Sequence, residues 1–501
     1  MQDLKAIREN KFRKGYNDKL KPEMLPQGYA AAAINVLIED DKIIKRTGYT
    51  EQGTDVKKSF AILGCGTMEL SDGTKFILRA RNKDASNSLI EGWGGSGAWG
   101  TLTSGSSQTV HLKHDFEMAK DVCYIFNGTD AVLKTDDGTS ASAVSAIPKG
   151  VDMKWFHNYM FVLTAAGRLY WSNLNDPETY TADDYIDVNP NDGDTGIGFG
   201  VLKDELLTFK RNRVWALTGF GATDFTIDDL GERITGLGAQ SKRSIVETGN
   251  DCYYLSYLGG VPHFTSVQRT RYAATVAGSI ISDDISGTMD DLVKTALDEC
   301  TGIFDGRRIW WAVTTSGSAN DAVLVYDTLN KAWTKMTGIE ASCWCISTLP
   351  GSSTLYFGEA TAVSKLYKKD SSSTDNGTDI SMQYDTRMYQ PFPESKCKWK
   401  YLYMTAETES QATIDVDYSP DAFTMEDLGT MNTYGTGAVF DDIVLGSSKL
   451  GATTIQRKRF DTAGGNAYAM QYRFSNSETL DTIKIREYSV LYKPKGLTAE
   501  G

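Results

Sequence analysis

Apolar residues along this chain come in short runs of roughly five, separated by Gly, Asp and Asn turns, and the runs recur in blocks of roughly forty residues. Successive blocks are led by Phe76-Ile77-Leu78, Val122-Cys123-Tyr124-Ile125-Phe126 and Met160-Phe161-Val162-Leu163. They continue with Glu205-Leu206-Leu207-Thr208-Phe209, Asp251-Cys252-Tyr253-Tyr254-Leu255, Ile309-Trp310-Trp311-Ala312-Val313 and Thr354-Leu355-Tyr356-Phe357. Within a block the layout repeats, most clearly as Ile309 to Val313, then Ala322-Val323-Leu324-Val325-Tyr326-Asp327, then Ala332-Trp333-Thr334-Lys335-Met336. A lone sheet of so few strands is marginal, whereas radial stacking buries both of its faces and protects its edges. The pattern therefore predicts an all-β chain, with a β-propeller of six or seven blades over 60–370.

The ends read differently. Residues 1–59 are expected to supply an N-terminal arm and strands that join a platform. Ser371-Ser372-Ser373-Thr374 and the Gly and Asn after it predict a linker over 371–379. Residues 380–501 predict a sandwich-like platform domain, since Thr413-Ile414-Asp415-Val416-Asp417-Tyr418 alternates apolar and polar positions. One stretch breaks the β rhythm: Met289, Leu292, Val293 and Leu297 fall at helical spacing and predict a short helix between two blades.

Composition sharpens this picture. The chain has 501 residues with 47 Gly, 25 Tyr and 10 Trp but only 4 His, which suits many strands joined by tight turns and leaves little for imidazole chemistry. Net charge is −13, so tight nonspecific binding of nucleic acid is disfavoured. Against that balance, the first 21 residues are basic (Lys5, Arg8, Lys11, Arg13, Lys14, Lys19 and Lys21) and read as a solvated, partly helical tail, with an arm that docks on an acidic partner as the functional alternative. The seven cysteines (Cys65, Cys123, Cys252, Cys300, Cys343, Cys345 and Cys397) lack zinc-ligand spacing and are expected as reduced thiols of a protein made in a cytoplasm. Neither a secretory leader nor a membrane span is expected.

No catalytic, cofactor-binding or metal-ligating residue is predicted. Gly92-Trp93-Gly94-Gly95-Ser96-Gly97 does not join a strand to a helix, so it reads as a blade turn rather than a phosphate loop. Asp187 to Gly196 alternates oxygen side chains as calcium loops do, but its glycine is misplaced, Gly198 stands where a bidentate Glu is needed, and a polar turn is expected. Adjacent carboxylates (Asp183-Asp184, Asp228-Asp229 and Asp283-Asp284) point apart in strands and loops, so they are poor glycosidase pairs. His111 and His114 are expected as a surface pair, with His157 and His263 standing alone. Trp155, Trp171, Trp215, Trp310 and Trp311 are expected in blade cores, with stacking of sugars or bases as the alternative.

A series of motifs then resembles one family. Gly15-Tyr16-Asn17, Leu25-Pro26-Gln27-Gly28, Ala33 to Ile38 and Lys45-Arg46-Thr47-Gly48-Tyr49 look like the opening of phage tail nozzle proteins. That group includes the packaged-DNA stabilisation proteins and tail tubular protein B. Arg168 to Pro177, Tyr185-Ile186-Asp187-Val188, Leu206 to Leu217, Gly238-Ala239-Gln240-Ser241 and Val325-Tyr326-Asp327 continue the likeness in order. Thr47, where the family has Pro, is a departure. The resemblance implies a virion location, a homo-hexamer, contacts with portal and adaptor proteins and with tail fibre or needle proteins, and genomic DNA passing through the lumen without specific binding. It implies a structural role in retaining and ejecting the genome, and no catalytic residue. A propeller module binding receptors or glycans through aromatic grooves is the alternative, and a glycoside hydrolase ranks below it.

Overall fold

The computed structural model describes residues 4–53, 60–102, 108–230, 237–269, 276–349, 351–361, 363–408, 412–433, 454–462, 465–478 and 483–495. The chain divides into two compact units: Thr50–Val323 with Ile339–Lys369, and Met1–Tyr49 with Leu324–Gly338 and Asp370–Gly501.

The first unit is a β-propeller. Its inner strands are Ile62–Glu69, Asp115–Ala119, Asp152–Phe156, Gly196–Leu202, Val246–Glu247, Thr301–Phe304 and Ala341–Ser347. Each packs beside the next, and the last returns to the first, so seven inner strands close a ring. Six of these positions carry an antiparallel sheet of at least four strands, while the sixth in chain order is filled within this unit by Thr301–Phe304 and its partner Arg308–Val313. The seventh sheet is completed by Tyr49–Glu51 alongside Leu366–Lys369, with the Gln52 amide on the Leu366 carbonyl at 2.9 Å. A strand from before the first blade thus closes the last one.

Second strands are buried on both faces, which is why they read as unbroken apolar runs: every residue of Tyr159–Leu163 and of Arg308–Val313 is buried. The apolar cores lie between consecutive blades. Phe161, Trp171, Trp215 and Phe225 fill the space between the third and fourth, and Phe209 meets Tyr254 edge-on at 4.7 Å between the fourth and fifth. Glycine makes the close approach at the axis possible. A Cβ on Gly64 would stand 1.9 Å from the His114 carbonyl, and one on Gly66 would stand 2.5 Å from the Phe116 side chain.

The second unit joins both chain ends. One sheet orders Ala332–Thr337, Gly15–Tyr16, Tyr29–Ile34, Met382–Thr386, Met470–Asn476, Ala412–Pro420 and Glu426–Thr433. The other orders Val36–Glu39, Lys42–Lys45, Ile483–Pro494, Cys397–Thr408 and Thr454–Asp461. Aromatic side chains bridge the two: Phe474 of the first lies 5.1 Å from Tyr488 of the second, and Phe12 stacks on Tyr488 at 5.8 Å.

Four expectations need correction. Residues 324–338 belong with the chain ends rather than with the propeller, and the propeller unit begins at Thr50 rather than at residue 60. The stretch 371–379 is no free linker, because Thr374–Asp375 and Thr378–Asp379 pair as a hairpin. Polar, turn-rich composition suits either outcome, and the buried partner of Asp375 lies far away in sequence. The basic N-terminal stretch is no helical tail: Lys5–Glu9 is a strand along Ile483–Pro494, tied by Arg8 to Glu487. The expected helix is split into an α turn, Ser286–Asp290, and a 3-10 segment, Lys294–Glu299, with Val293 extended between them. Its apolar spacing still serves burial, since Met289, Leu292 and Leu297 are all interior. Among the described residues, no helix is long and apolar enough to cross a membrane.

Candidate functional site

The propeller axis holds a cavity of about 380 Å³ lined by inner-strand residues. Alternation along each strand sends every second side chain inward, so Asp115 and Glu117 come from the second blade, and Asp152 and Lys154 from the third. Glu247 comes from the fifth blade, while Lys242 and Arg243 lie on the 3-10 turn before it. Four carboxylates and three cations therefore share a small space.

Each is engaged in holding blades together. Glu117 accepts the Trp155 amide of the next blade at 2.9 Å, Asp152 accepts the Phe199 amide at 2.8 Å, and Glu247 accepts the Val201 amide at 2.8 Å. Arg243 donates to Asp115 at 2.7 Å and to the carbonyls of Leu63, His114 and Ser342, reaching the first, second and seventh blades from one guanidinium. Lys154 pairs with Glu247 at 3.2 Å, and Lys242 with Asp115.

The charge states follow from these surroundings. Burial pushes Glu117 up to about 7 despite Lys154 nearby, and pushes Asp152 up to about 6 despite Lys242. For Asp115 burial acts in the same direction, but Arg243 and Lys242 overcome it and hold the carboxyl well below its usual range. Lys154 holds its proton more tightly than usual, because Glu117 and Glu247 outweigh the cost of burial. The sequence reading missed this cluster. Its signal was charge at alternate positions leading a blade, as in Asp115-Phe116-Glu117 and Asp152-Met153-Lys154.

A second feature lies on a turn surface of the propeller. His157 is sandwiched between Phe156 at 3.8 Å and Phe220 at 4.8 Å, with rings nearly parallel, and Phe220 is 68% exposed. The hairpin tip at His157 and Asn158 has positive φ at both residues, and the His157 ring meets the Gly219 carbonyl at 3.2 Å. The Asn175 amide donates to the Asn158 carbonyl at 2.8 Å, which sets exposed Leu174 next to this tip. The tip thus carries an exposed aromatic ring, Phe220, over His157, with exposed Leu174 and the polar Asn158 and Asn175 alongside.

The remaining candidates fall elsewhere. In the Asp187 to Gly196 loop, the buried Lys210 ammonium lies 2.9 Å from both Asp192 oxygens and from the Asn189 carbonyl. His111 contacts Asn82, while His114 is buried, donates to the Leu112 carbonyl and accepts from Asn127, with burial dropping it to about 4. Asp183 is in an exposed turn beside Asp184, Asp228 and Asp229 are on an outer strand, and Asp283 and Asp284 open a helical turn, so no two of these pairs come together on one blade. Gly95 and Gly97 have positive φ in the turn after Trp93, a blade turn. Trp171, Trp215, Trp310 and Trp311 are core residues, and Trp155 is half-buried against the second and third blades. All seven cysteines are free thiols. Among the described residues, no group of three or more His, Cys, Asp or Glu could hold a metal ion.

This geometry defines an all-β chain with a β-propeller. No family model matches the chain, and no curated protein does. Solved structures do. One is YCF48 bound to a D1 peptide, with 10% identity and a TM-score of 0.41, over 67% of this chain and 97% of that one. Another is the Pan2 WD40 domain of Neurospora crassa, with 8% identity and a TM-score of 0.37, over 64% and 98%. A third is the extracellular domain of the putative hybrid two component system BT4673 of B. thetaiotaomicron, with 8% identity and a TM-score of 0.40, over 87% and 61%.

Proposed function

We propose that this chain is a propeller binding module that engages a receptor glycan on the ledge formed by Phe220, His157 and Leu174. The observation that carries the reading is the stack itself, in which an aromatic face is held rigid by His157 and Phe156 yet left 68% exposed. A pre-ordered ring offers apolar contact to the C–H face of a pyranose with little entropy left to lose. The axial charges are already engaged in ties between blades, which favours binding over chemistry at that place. A glycan array with the whole chain tests this. Binding should appear for at least one glycan class and weaken about tenfold, or about 1.4 kcal/mol, in Phe220→Ala at unchanged melting temperature. A chain that binds no glycan would sink the reading.

A second reading is a phage tail nozzle subunit, favoured by the co-linear motifs. Gly48 of the opening motif fits that view of a built segment: a Cβ there would stand 1.9 Å from the Thr374 carbonyl. In this reading the chain forms a homo-hexamer in the virion below portal and adaptor proteins, meets fibre or needle proteins, and conducts DNA through an acidic lumen. Light scattering alone and with a purified connector tests it. A particle that stays monomeric in both would remove it.

A further inference from the structure

We propose that the outer face of the sheet containing Cys397–Thr408 carries a groove that binds the carboxylates of an acidic segment of a partner polypeptide, through Arg457, Arg459, Tyr403 and Ser489. The sequence sets this face up by alternation. In the strand pairing, Tyr403 lies opposite Arg459 on one side and Ser489 on the other, Thr405 lies opposite Arg457, and Tyr401 lies opposite Leu491. The intervening residues Leu402, Met404, Phe460 and Val490 are buried, so the named side chains share the solvent side. A groove of about 570 Å³ runs over them, floored by Leu491 and Ala6.

The guanidiniums are pre-positioned. Arg457 lies 4.8 Å from the centre of the Tyr403 ring, and Arg459 lies 4.9 Å from that of Tyr401. Stacking fixes the plane of each guanidinium and leaves its N–H edge for a planar oxyanion, which a carboxylate meets with two parallel hydrogen bonds. Arg459 is partly engaged, with Asp461 at 3.1 Å. Arg457 has no ion pair among the described residues; the nearby Glu487 carboxylate, which feels its charge, is bound by Arg8. Two arginines two positions apart on one strand repel each other, and an anion between them relieves that repulsion.

The chemistry favours acidic protein over nucleic acid. Bases need open aromatic faces, and here each tyrosine ring already has a guanidinium over one face. A chain of net charge −13 repels any polyanion at long range, so binding here rests on the local pair of cations and on the planar fork each offers a carboxylate.

The test uses the full chain and a fluorescent hexaglutamate peptide, with a ten-base oligothymidylate as the competing polyanion. Anisotropy should show salt-sensitive peptide binding, weakened about tenfold by Arg457→Ala with Arg459→Ala at an unchanged melting temperature. Arg457→Lys keeps the charge but loses the fork, so it should also weaken binding, by about threefold. No peptide binding by the native chain, equal binding by the double variant, or tighter binding of the oligothymidylate would each overturn the proposal.

Discussion

The guanidinium of Arg46 clasps Asp375 across more than 300 residues of sequence, with Nη1 on Oδ1 at 2.7 Å and Nη2 on Oδ2. Both side chains are buried, at 1% and 7% exposure. The remaining Arg46 donors go to the Asn35 side chain at 2.8 Å and to the carbonyls of Thr337 at 2.7 Å and Thr47 at 3.2 Å, so one residue ties three segments of the platform. Asp375→Ala should therefore cost about 3–5 kcal/mol, because it strands a buried cation. Arg46→Lys should cost nearly as much, since an ammonium cannot serve the same fork of acceptors. Urea melts of the two variants check both claims, and a loss under about 1 kcal/mol would refute them.

Lys210 and Asp192 make a comparable pair in the propeller, and they alter what the acidic loop can do. The ammonium already occupies the centre of the oxygen cluster, and together with the Asp194 amide it holds Asp192 below the usual carboxylate range despite the opposing effect of burial. Calcium at millimolar concentration, or its removal with a chelator, should leave the melting temperature unchanged. Lys210→Met should lower stability by about 3 kcal/mol, because it leaves the Asp192 carboxylate without its cation. Calcium stabilisation of the native chain, measured by thermal melts, would contradict this.

Legibility in the sequence followed the range of the interactions. Strands such as Tyr159–Leu163 were visible because burial on both faces leaves a local apolar run. The α turn at Ser286–Asp290 was half-visible: its spacing was right, but Val293 breaks the hydrogen bonding in a way spacing does not report. The hairpin at 374–379 was hidden, since polar composition cannot tell a linker from a hairpin anchored by Arg46. The axial cluster was hidden for a different reason. Glu117 and Glu247, from the second and fifth blades, share one space only because the ring closes, and no local pattern encodes which blades face each other. Phe220 and His157, 63 residues apart, were likewise unreadable as a stack.

Arg243 concentrates that ring closure in one side chain. It donates to Asp115 and to carbonyls on three blades, at 2.7 to 3.3 Å. Arg243→Lys keeps a cation near Asp115 but leaves buried carbonyls without donors, each costing about 1–3 kcal/mol. The propeller unit should melt earlier in this variant. Exposed Arg213, paired with Asp229 at 3.3 Å, serves as a control, and its Lys variant should change stability by less than about 1 kcal/mol. Equal losses from the two variants would show that Arg243 is not a hub.

The axial carboxylates also set how stability responds to pH. Glu117 and Asp152 titrate near 7 and 6 in the folded chain, above the ordinary values near 4 for the unfolded chain. Between those limits the folded state binds more protons, so their contribution to stability is greatest below about pH 4 and falls as pH rises to 7. Asp115 acts in the opposite sense: its depressed value adds stability above about pH 4 that is lost on acidification below it. The groups facing Glu117 are Lys154, Asp152 and Glu247, and Lys154 stays charged throughout this range. Buried His114, dropped to about 4, opposes this by costing stability as pH falls below 6.5, but the two raised carboxyls outweigh it, so the propeller should be more stable near pH 5 than near pH 8, the reverse of a protein dominated by paired surface acids. Glu117→Gln removes one titration and should flatten the slope between pH 5 and 7. Thermal melts across that range decide it, and a slope unaltered by the substitution would place the proton elsewhere.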